Sequence, residues 1–330
     1  MPVLHFLMER QQPCRLDTFL KQDCGVSRRQ LARLKHLPDG MTCNGQPIRS
    51  IDTVKYGDCI RLHIPDTTAT APNPELSVPL LFEDGDLLVF DKPAGMPVHP
   101  SLNHRMDTLG NAFAARYPEL TFRPVHRLDR NTSGLVAVAK HPIAAARLHG
   151  QIRKTYLALA CGMPEESGTI TAPIGRVPDS LIARCVAPDG KPAVTHYRLL
   201  HAGRYALLAL QLETGRTHQI RVHLSHIGCP LAGDDLYGGD CTALSRHALH
   251  CAAFDYTDTH GRVHRITSPL PEDMQQLTEL PDPVGTGQLF HGIVRISSAF
   301  PEASLCRSTE ISTELQFRAP EGLIFPETLL

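Results

Sequence analysis

Two short, uninterrupted apolar runs most narrowly constrain how this chain can fold. They are residues 87–90 (LLVF) and 135–139 (LVAVA). A strand with one wet face alternates apolar and polar side chains, whereas a strand covered on both faces is apolar throughout. We therefore predict strands buried on both sides of a sheet. Residues 195–201 and 205–212 flank a short glycine-containing turn and predict a hairpin.

The chain divides into parts of different composition. Its 330 residues exceed what one hydrophobic core usually serves. A stretch after residue 63 is rich in Pro, Thr and Ala and has no periodicity, which is typical of a linker. We predict a front domain over 1–66, a linker over 67–79, a main domain over 80–285 and an irregular or disordered tail over 286–330.

Charge is distributed unevenly although the total is close to neutral. The formal net charge is −1. Residues 1–66 hold ten Lys and Arg against seven Asp and Glu, whereas residues 281–330 hold three Arg against six acids. The neutral total therefore conceals a basic front domain and an acidic tail, and the whole-chain charge by itself does not argue for nucleic acid.

Cysteine spacing and hydropathy indicate the cellular compartment of the protein. Ten Cys are scattered without a CxxC pair, and no run of about 18 apolar residues exists. The first residues carry no basic leader. We expect reduced thiols, no membrane span, a cytoplasmic location and a monomer.

The front domain is predicted to contain a basic helix over residues 27–37. Ser27 can cap it, and Leu31 and Leu34 line one face. Asn44-Gly45 then predicts a tight hairpin turn. Four basic residues fill the remaining helix surface: Arg28, Arg29, Arg33 and Lys35.

Three clusters carry candidate chemistry. HRLDRNTSG places Asp129 beside Arg127 just before the buried run 135–139. TGRTHQIRVH places His218 and Arg221 three residues apart, on one face of a predicted helix over 217–227. DKPAGMPVHP follows the other buried run and is rich in proline. A lone carboxylate beside arginine is most often an ordinary ion pair, but three such clusters together indicate a site.

Other patterns indicate less. His218, His223 and His226 do not share one helix face and no nearby carboxylate completes a ligand set, so we predict no metal. Gly238-Gly239 lacks the GxxxxGK of a phosphate loop. Tyr156 taken alone is typical of a packed strand residue.

Five segments together resemble the RluA-type pseudouridine synthases. They are DKPAGMPVHP, HRLDRNTSGLVAVAK, RKTYLALACG, ETGRTHQIRVHLSHIGCPLAGDDLYG and HALHCAAF, in order over about residues 80–271. The front domain is similar to an S4 RNA-binding domain in SRRQLARL and TCNGQPI. The resemblance implies an α+β fold with a central mixed, mainly antiparallel sheet, and an enzyme that works without cofactor or metal.

The resemblance also implies residue roles. Asp129 matches the catalytic carboxylate, and Tyr156 matches the aromatic residue that stacks on the target uracil. Arg221 matches the cation that pairs with the carboxylate, with Arg216 as the less favoured choice. Arg127 matches the residue that fills the space of the extruded nucleotide. We also assign His218 to the residues that bind the substrate.

The chemistry requires such groups. Converting uridine to pseudouridine breaks the N1–C1′ bond and joins C5 to C1′, so water must be excluded and the base must leave its helix. Whether the carboxylate attacks C1′ or removes a sugar proton stays open at this level.

Substrate and class also leave alternatives. An added basic domain favours large-subunit ribosomal RNA, and transfer RNA is the alternative. A non-catalytic RNA-binding protein is a competing interpretation. A glycosidic hydrolase would need a second carboxylate, for which only Asp234 and Asp235 are candidates.

Overall fold

The structure is a computed structural model that describes residues 3–63, 70–258 and 261–278. The start of the predicted linker and the whole of the predicted tail lie outside these residues. Residues 70–79 contain no helix or strand. Within the described ranges, no helix is both long and apolar enough to cross a membrane.

The front part of the chain is a small unit with short strands and two helices. Its elements are β1 (Val3–Leu7), β2 (Cys14–Arg15), α1 (Leu16–Gln22), α2 (Arg28–Leu34), β3 (Met41–Cys43), β4 (Gln46–Pro47), β5 (Thr53–Val54) and β6 (Cys59–His63). Four strands form one sheet in the order β1-β6-β3-β4, and β2 pairs with β5.

Helix α2 begins where the sequence predicts and ends earlier. Ser27 accepts the backbone N–H of Gln30, and the Gln30 side chain accepts the N–H of Ser27. The helix stops at Leu34 rather than Leu37. Pro38 explains the difference, because its ring would clash with the carbonyl of Leu34 in a continued helix.

The predicted hairpin turn between β3 and β4 is confirmed. Asn44 and Gly45 have φ values of 50° and 83°. Two consecutive residues with positive φ form the turn whose twist matches a hairpin.

The main part contains eleven strands and four helices within the described residues. They are β7 (Leu80–Glu83), β8 (Leu87–Lys92), α3 (Leu109–Arg116), β9 (Ser133–Ala139), α4 (Pro142–Leu148), β10 (Arg153–Ala160), β11 (Ser167–Thr171), β12 (Ile174–Arg176), β13 (Arg184–Val186), β14 (Val194–Ala202), β15 (Ala206–Leu212), α5 (Gln219–His226), β16 (Leu249–Thr257), β17 (Val263–Thr267) and α6 (Glu272–Gln275).

A nine-stranded sheet organises this part. Its order is β11-β14-β15-β10-β16-β9-β8-β7, with β17 paired to β16. Strands β16 and β9 are parallel, and the other described pairs of this sheet are antiparallel. The predicted α+β class with a mixed, mainly antiparallel sheet is confirmed, as is the β14–β15 hairpin.

The parallel pair depends on a glycine. Gly134 pairs with Cys251 at a φ of 107°. A Cβ atom at this position would lie 2.3 Å from the carbonyl oxygen of Cys251, so only glycine lets the two backbones approach.

The sheet is covered on both faces at its centre, as the apolar runs predict. All seven residues of β9 are buried. Along β10, Ala158 and Ala160 belong to one hydrophobic cluster, whereas Leu157 and Leu159 belong to another. Ile143 of α4 packs in the hydrophobic cluster of the front part, so the two parts share a buried contact.

Candidate active site

Asp129 lies in the loop that leads into β9. The backbone N–H of Thr132 donates to the carbonyl of Asp129 across 3.1 Å and closes this loop as a turn. The Asp129 side chain is 23% exposed. The carboxylate is therefore held half-buried, next to a strand that is completely buried.

A buried lysine anchors this loop. Lys92 Nζ donates to the carbonyls of Pro93 and Met96 at 2.8 Å each, and to that of Arg130 at 3.1 Å. Lys92 is 0% exposed. Burial lowers its pKa to about 7, although the nearby Asp129 carboxylate opposes the shift. The DKPAGMPVHP segment is thus tied to the Asp129 loop by a lysine, in addition to being stiffened by its prolines.

Two neutral histidines hold the loop from the other side. Thr132 Oγ1 lies 2.8 Å from His247 Nε2, and Ser133 Oγ lies 3.0 Å from His250 Nδ1. Burial lowers the pKa of His247 to about 2 and that of His250 to about 4. Both rings are uncharged at neutral pH, and the HALHCAAF segment therefore supports the loop without adding charge.

Arg221 contacts two carboxylates. Its Nε and Nη2 donate to Asp234 at 2.7 and 2.8 Å, and Asp234 is fully buried. Its Nη1 lies 3.8 Å from Asp129 Oδ2. The ion pair expected from the sequence is present at that longer distance, because the planar guanidinium gives its two-bonded edge to Asp234 and directs Nη1 toward Asp129.

His218 also lies near Asp129 Oδ2, but it does so from a position outside the helix in which it was predicted. It precedes α5 and has a φ of 57°, so the prediction that it shares a helix face with Arg221 is wrong. The Gln219 side chain accepts the N–H of Arg216, and the helix begins at Gln219, after His218, rather than at residue 217 as predicted. His218 Nε2 nevertheless lies 3.9 Å from Asp129 Oδ2.

Tyr156 occupies the middle of the sheet, on β10. The register between β10 and β16 shifts between Thr155 and Tyr156, and Tyr156 lies on the same face of β10 as Ala158 and Ala160. The residue is 5% exposed, and burial raises its pKa well above 10. Its ring is a neutral phenol.

A cavity of about 290 Å³ joins these groups. Six residues proposed from the sequence line it: Arg127, Asp129, Tyr156, Arg216, His218 and Arg221. Arg127 and Arg216 are exposed. The structure therefore places one carboxylate and one aromatic ring among several basic side chains in a single concave site.

Sequence reasoning missed several residues of this site. Lys154 lines the cavity, and burial lowers its pKa. Its spacing of two from Tyr156 was a usable signal, because alternate residues of a strand share a face. Lys92, Asp234 and Tyr237 stand in the quoted segments, but their spacing gave no signal of their contacts, because these contacts form through loops and between elements.

The geometry bears on two alternatives. Both ring nitrogens of His223 are hydrogen-bonded, to Thr195 Oγ1 and to the carbonyl of Ala172, each at 2.9 Å. The described residues hold no group of three or more His, Cys, Asp or Glu that suits a metal. Asp234 is engaged by Arg221 and is not available as the second carboxylate of a glycosidic hydrolase.

The basic helix of the front part is separate from the cavity. Arg28, Arg33 and Lys35 are exposed, while Leu31 and Leu34 are buried. The backbone of Arg29 lies in the same helix. Arg28, Arg33 and Lys35 do not line the cavity.

Comparison with known proteins identifies the class. A family model described as RNA pseudouridylate synthase matches residues 86–226. An uncharacterized RNA pseudouridine synthase of Chloroflexus aurantiacus is 46% identical over 279 residues, covering 79% of this chain and 88% of that protein. The ribosomal large subunit pseudouridine synthase D of Xanthomonas campestris is 38% identical over 261 residues, covering 71% and 78%.

A solved structure agrees. Human RNA pseudouridylate synthase domain containing 1 superimposes with a TM-score of 0.55 at 26% identity, covering 73% of this chain and 100% of that one. The fold, the family model and the named relatives together define an isomerase that acts on RNA. The chain belongs to the RluA-type family of RNA pseudouridine synthases. The predicted enzyme class and pseudouridine synthase fold are confirmed.

Proposed function

We propose that this enzyme isomerises uridines of large-subunit ribosomal RNA, with Asp129 as the catalytic carboxylate acting on a flipped-out nucleotide. The observation that carries the assignment is the convergence of Arg221 and His218 on one oxygen of Asp129 in a cavity that also contains Tyr156. The ribosomal target is supported by relatives named ribosomal large subunit pseudouridine synthase D.

The reaction conserves all atoms of the nucleotide. The N1–C1′ bond breaks, the uracil turns, and C5 bonds to C1′; the proton leaves C5 and N1 gains one. Asp129 serves this sequence either by attacking C1′ or by removing a sugar proton. Both routes need a site shielded from water, and the cavity holds the guanidinium of Arg221 3.8 Å from the Asp129 carboxylate.

The remaining cavity residues have binding roles in this proposal. The Tyr156 ring stacks on the extruded uracil, since an aromatic face accepts any base. Arg127, exposed beside Asp129, fills the space that the nucleotide leaves in the RNA. Arg216 and His218 border the substrate.

The front part acts in this proposal as an S4-like RNA-binding domain over residues 1–66, ahead of a catalytic domain over 80–285. Its support is the exposed basic surface of α2, at Arg28, Arg33 and Lys35, on a packed helix. Such a surface contributes affinity for phosphates without reading sequence. We further infer that the enzyme acts as a monomer in the cytoplasm.

Tritium release from RNA labelled at uridine C5 tests the proposal. Wild-type enzyme and Asp129→Asn are compared on ribosomal and transfer RNA transcripts, with RNA binding measured in parallel. We expect release by wild type on ribosomal RNA and none by Asp129→Asn, with binding retained. Release by the variant would remove Asp129 from the mechanism. Faster release from transfer RNA would replace the proposed substrate, and binding without release would favour a non-catalytic protein.

A further inference from the structure

Tyr237 contacts both partners of Asp129. The Cζ atom of Arg221 lies 4.8 Å from the centroid of its ring, over the ring face. Its hydroxyl oxygen lies 2.8 Å from His218 Nδ1. The two cavity groups that lie within 4 Å of Asp129 Oδ2 as ion-pair partners therefore both contact one aromatic side chain, which comes from the GDDLYG segment.

The hydroxyl group determines which nitrogen of His218 carries the proton. The backbone N–H of Arg184, in β13, donates to the Tyr237 oxygen across 3.0 Å. The hydroxyl proton then has His218 Nδ1 as its acceptor. With Nδ1 accepting, the proton of a neutral imidazole sits on Nε2, the atom that faces Asp129. The other tautomer would turn a lone pair toward the carboxylate.

Charges around His218 agree with a neutral ring. Burial lowers its pKa below the ordinary value, and the guanidinium groups of Arg221 and Arg184 lower it further. The carboxylates of Asp129 and Asp234 act in the opposite direction. A neutral ring whose Nδ1 accepts from the Tyr237 hydroxyl agrees with these distances and charges.

Tyr237 is itself held in place. Ser225 Oγ donates to its carbonyl across 2.9 Å, and its N–H donates to the carbonyl of Asp234 across 3.3 Å. Its ring packs on the small hydrophobic cluster that contains Ile174 and Val222. Side chains locked by packing and hydrogen bonds are suited to orienting reactive groups.

We propose that Tyr237 is a positioning residue for the pseudouridine synthase reaction: its hydroxyl fixes the His218 tautomer that presents Nε2–H to Asp129, and its ring supports the guanidinium of Arg221. The proposal rests on the assignment of Asp129 as the catalytic carboxylate. It adds a role for a residue that touches no reacting atom and acts through two that border the cavity.

Tyr237→Phe separates the hydroxyl from the ring. We expect the single-turnover rate to fall about tenfold, the effect of one missing orienting hydrogen bond, while the Kd for RNA changes less than about twofold. Tyr237→Leu removes the ring as well and should lower the rate further. Tyr205→Phe is the matched control, because its hydroxyl bonds to Asp240 at 2.7 Å and Tyr205 does not line the cavity. It should keep the wild-type rate.

Nitrogen NMR of His218 gives a readout that does not depend on turnover. The signals are assigned by their loss in His218→Gln. We expect one tautomer, protonated at Nε2, in wild type and Tyr205→Phe, and a mixture in Tyr237→Phe. A wild-type rate or unchanged His218 nitrogen shifts in Tyr237→Phe would overturn the proposal. Product formation by Asp129→Asn would instead remove the assignment on which it rests, whatever the tautomer.

Discussion

The cavity around Asp129 and the surface of α2 use basic residues in opposite ways. At the cavity, Arg221 is 7% exposed at its side chain and is committed to two carboxylates. On α2, Arg28, Arg33 and Lys35 are exposed. Enclosed charges orient and activate, because their geometry is fixed and water is excluded. Exposed charges supply salt-dependent affinity with little demand on geometry.

The comparison predicts that variants fall into two groups. Changes at Asp129 and at the groups that orient it should lower the rate and leave RNA binding in place. Changes on α2 should weaken binding and leave the rate at saturating RNA unchanged. A variant of one region with the signature of the other would break the division.

The largest expected effect is at Lys92. Lys92→Met removes three hydrogen bonds of a buried side chain and leaves three carbonyls with one partner fewer, including that of Arg130 beside Asp129. We expect the free energy of unfolding to fall by about 3 kcal/mol. We also expect about a hundredfold lower single-turnover rate, because the Asp129 loop loses an anchor.

Lys140→Met is the control for this change. Lys140 makes an ion pair with Glu83 at 2.7 Å, and the Glu83 side chain is 43% exposed. Urea unfolding should detect a change below about 1 kcal/mol in that variant. Equal changes in the free energy of unfolding of the two variants would show that the burial of Lys92 adds nothing to its contribution to stability.

The next effect concerns pH. His250 has a pKa of about 4 in the folded protein, below the ordinary value of 6.5. The stability it provides is complete above pH 6.5 and is lost as the pH falls toward 4, because the unfolded chain takes up the proton first. His250→Gln should therefore reduce the pH slope of the unfolding free energy by about 1.4 kcal/mol per pH unit in this window.

Urea titrations at several pH values between about 7 and 4 measure this slope. The wild-type and variant curves should differ in slope between pH 6.5 and a pH of about 4, and should run parallel above pH 6.5. Parallel curves over the whole range would show that His250 is protonated as easily in the fold as in the unfolded chain.

The smallest effect on the rate belongs to α2. Replacing Arg28, Arg29, Arg33 and Lys35 together by Ala should weaken RNA binding, with no change in the rate at saturation. The slope of log K against log salt should fall by about 0.7–0.9 for each phosphate that the variant no longer neutralises. Binding titrations at several salt concentrations measure it. An unchanged slope would identify α2 as an ordinary solvated surface.

Local patterns predicted local structure well. The capping box at Ser27 and the turn at Asn44-Gly45 depend on a few adjacent residues, and both are present. The apolar run of β9 predicted a strand buried on both faces for the same reason. Prediction failed where one residue decided between neighbouring conformations: Pro38 shortens α2, and the Gln219 side chain places His218 before α5.

Distant contacts could not be obtained in this way. Lys92 anchors the Asp129 loop from a separate segment, and Asp234 and Tyr237 meet Arg221 only after the chain beyond α5 has turned back. Residue type and spacing report neighbours along a helix or strand, and they contain no direct record of which loops meet.

The motifs and apolar runs of this chain were enough to identify its family, four strands of the central sheet and six residues that border the cavity, because contiguous patterns carry their own chemistry. How those residues are held depends on the tertiary structure. The Asp129 loop is fixed by Lys92 and by His247, and the oxygen that faces Arg221 and His218 is set by how three separate segments pack. Orientation at this scale depends on hydrogen bonds between remote parts of the chain, which exist only after the sheet has assembled.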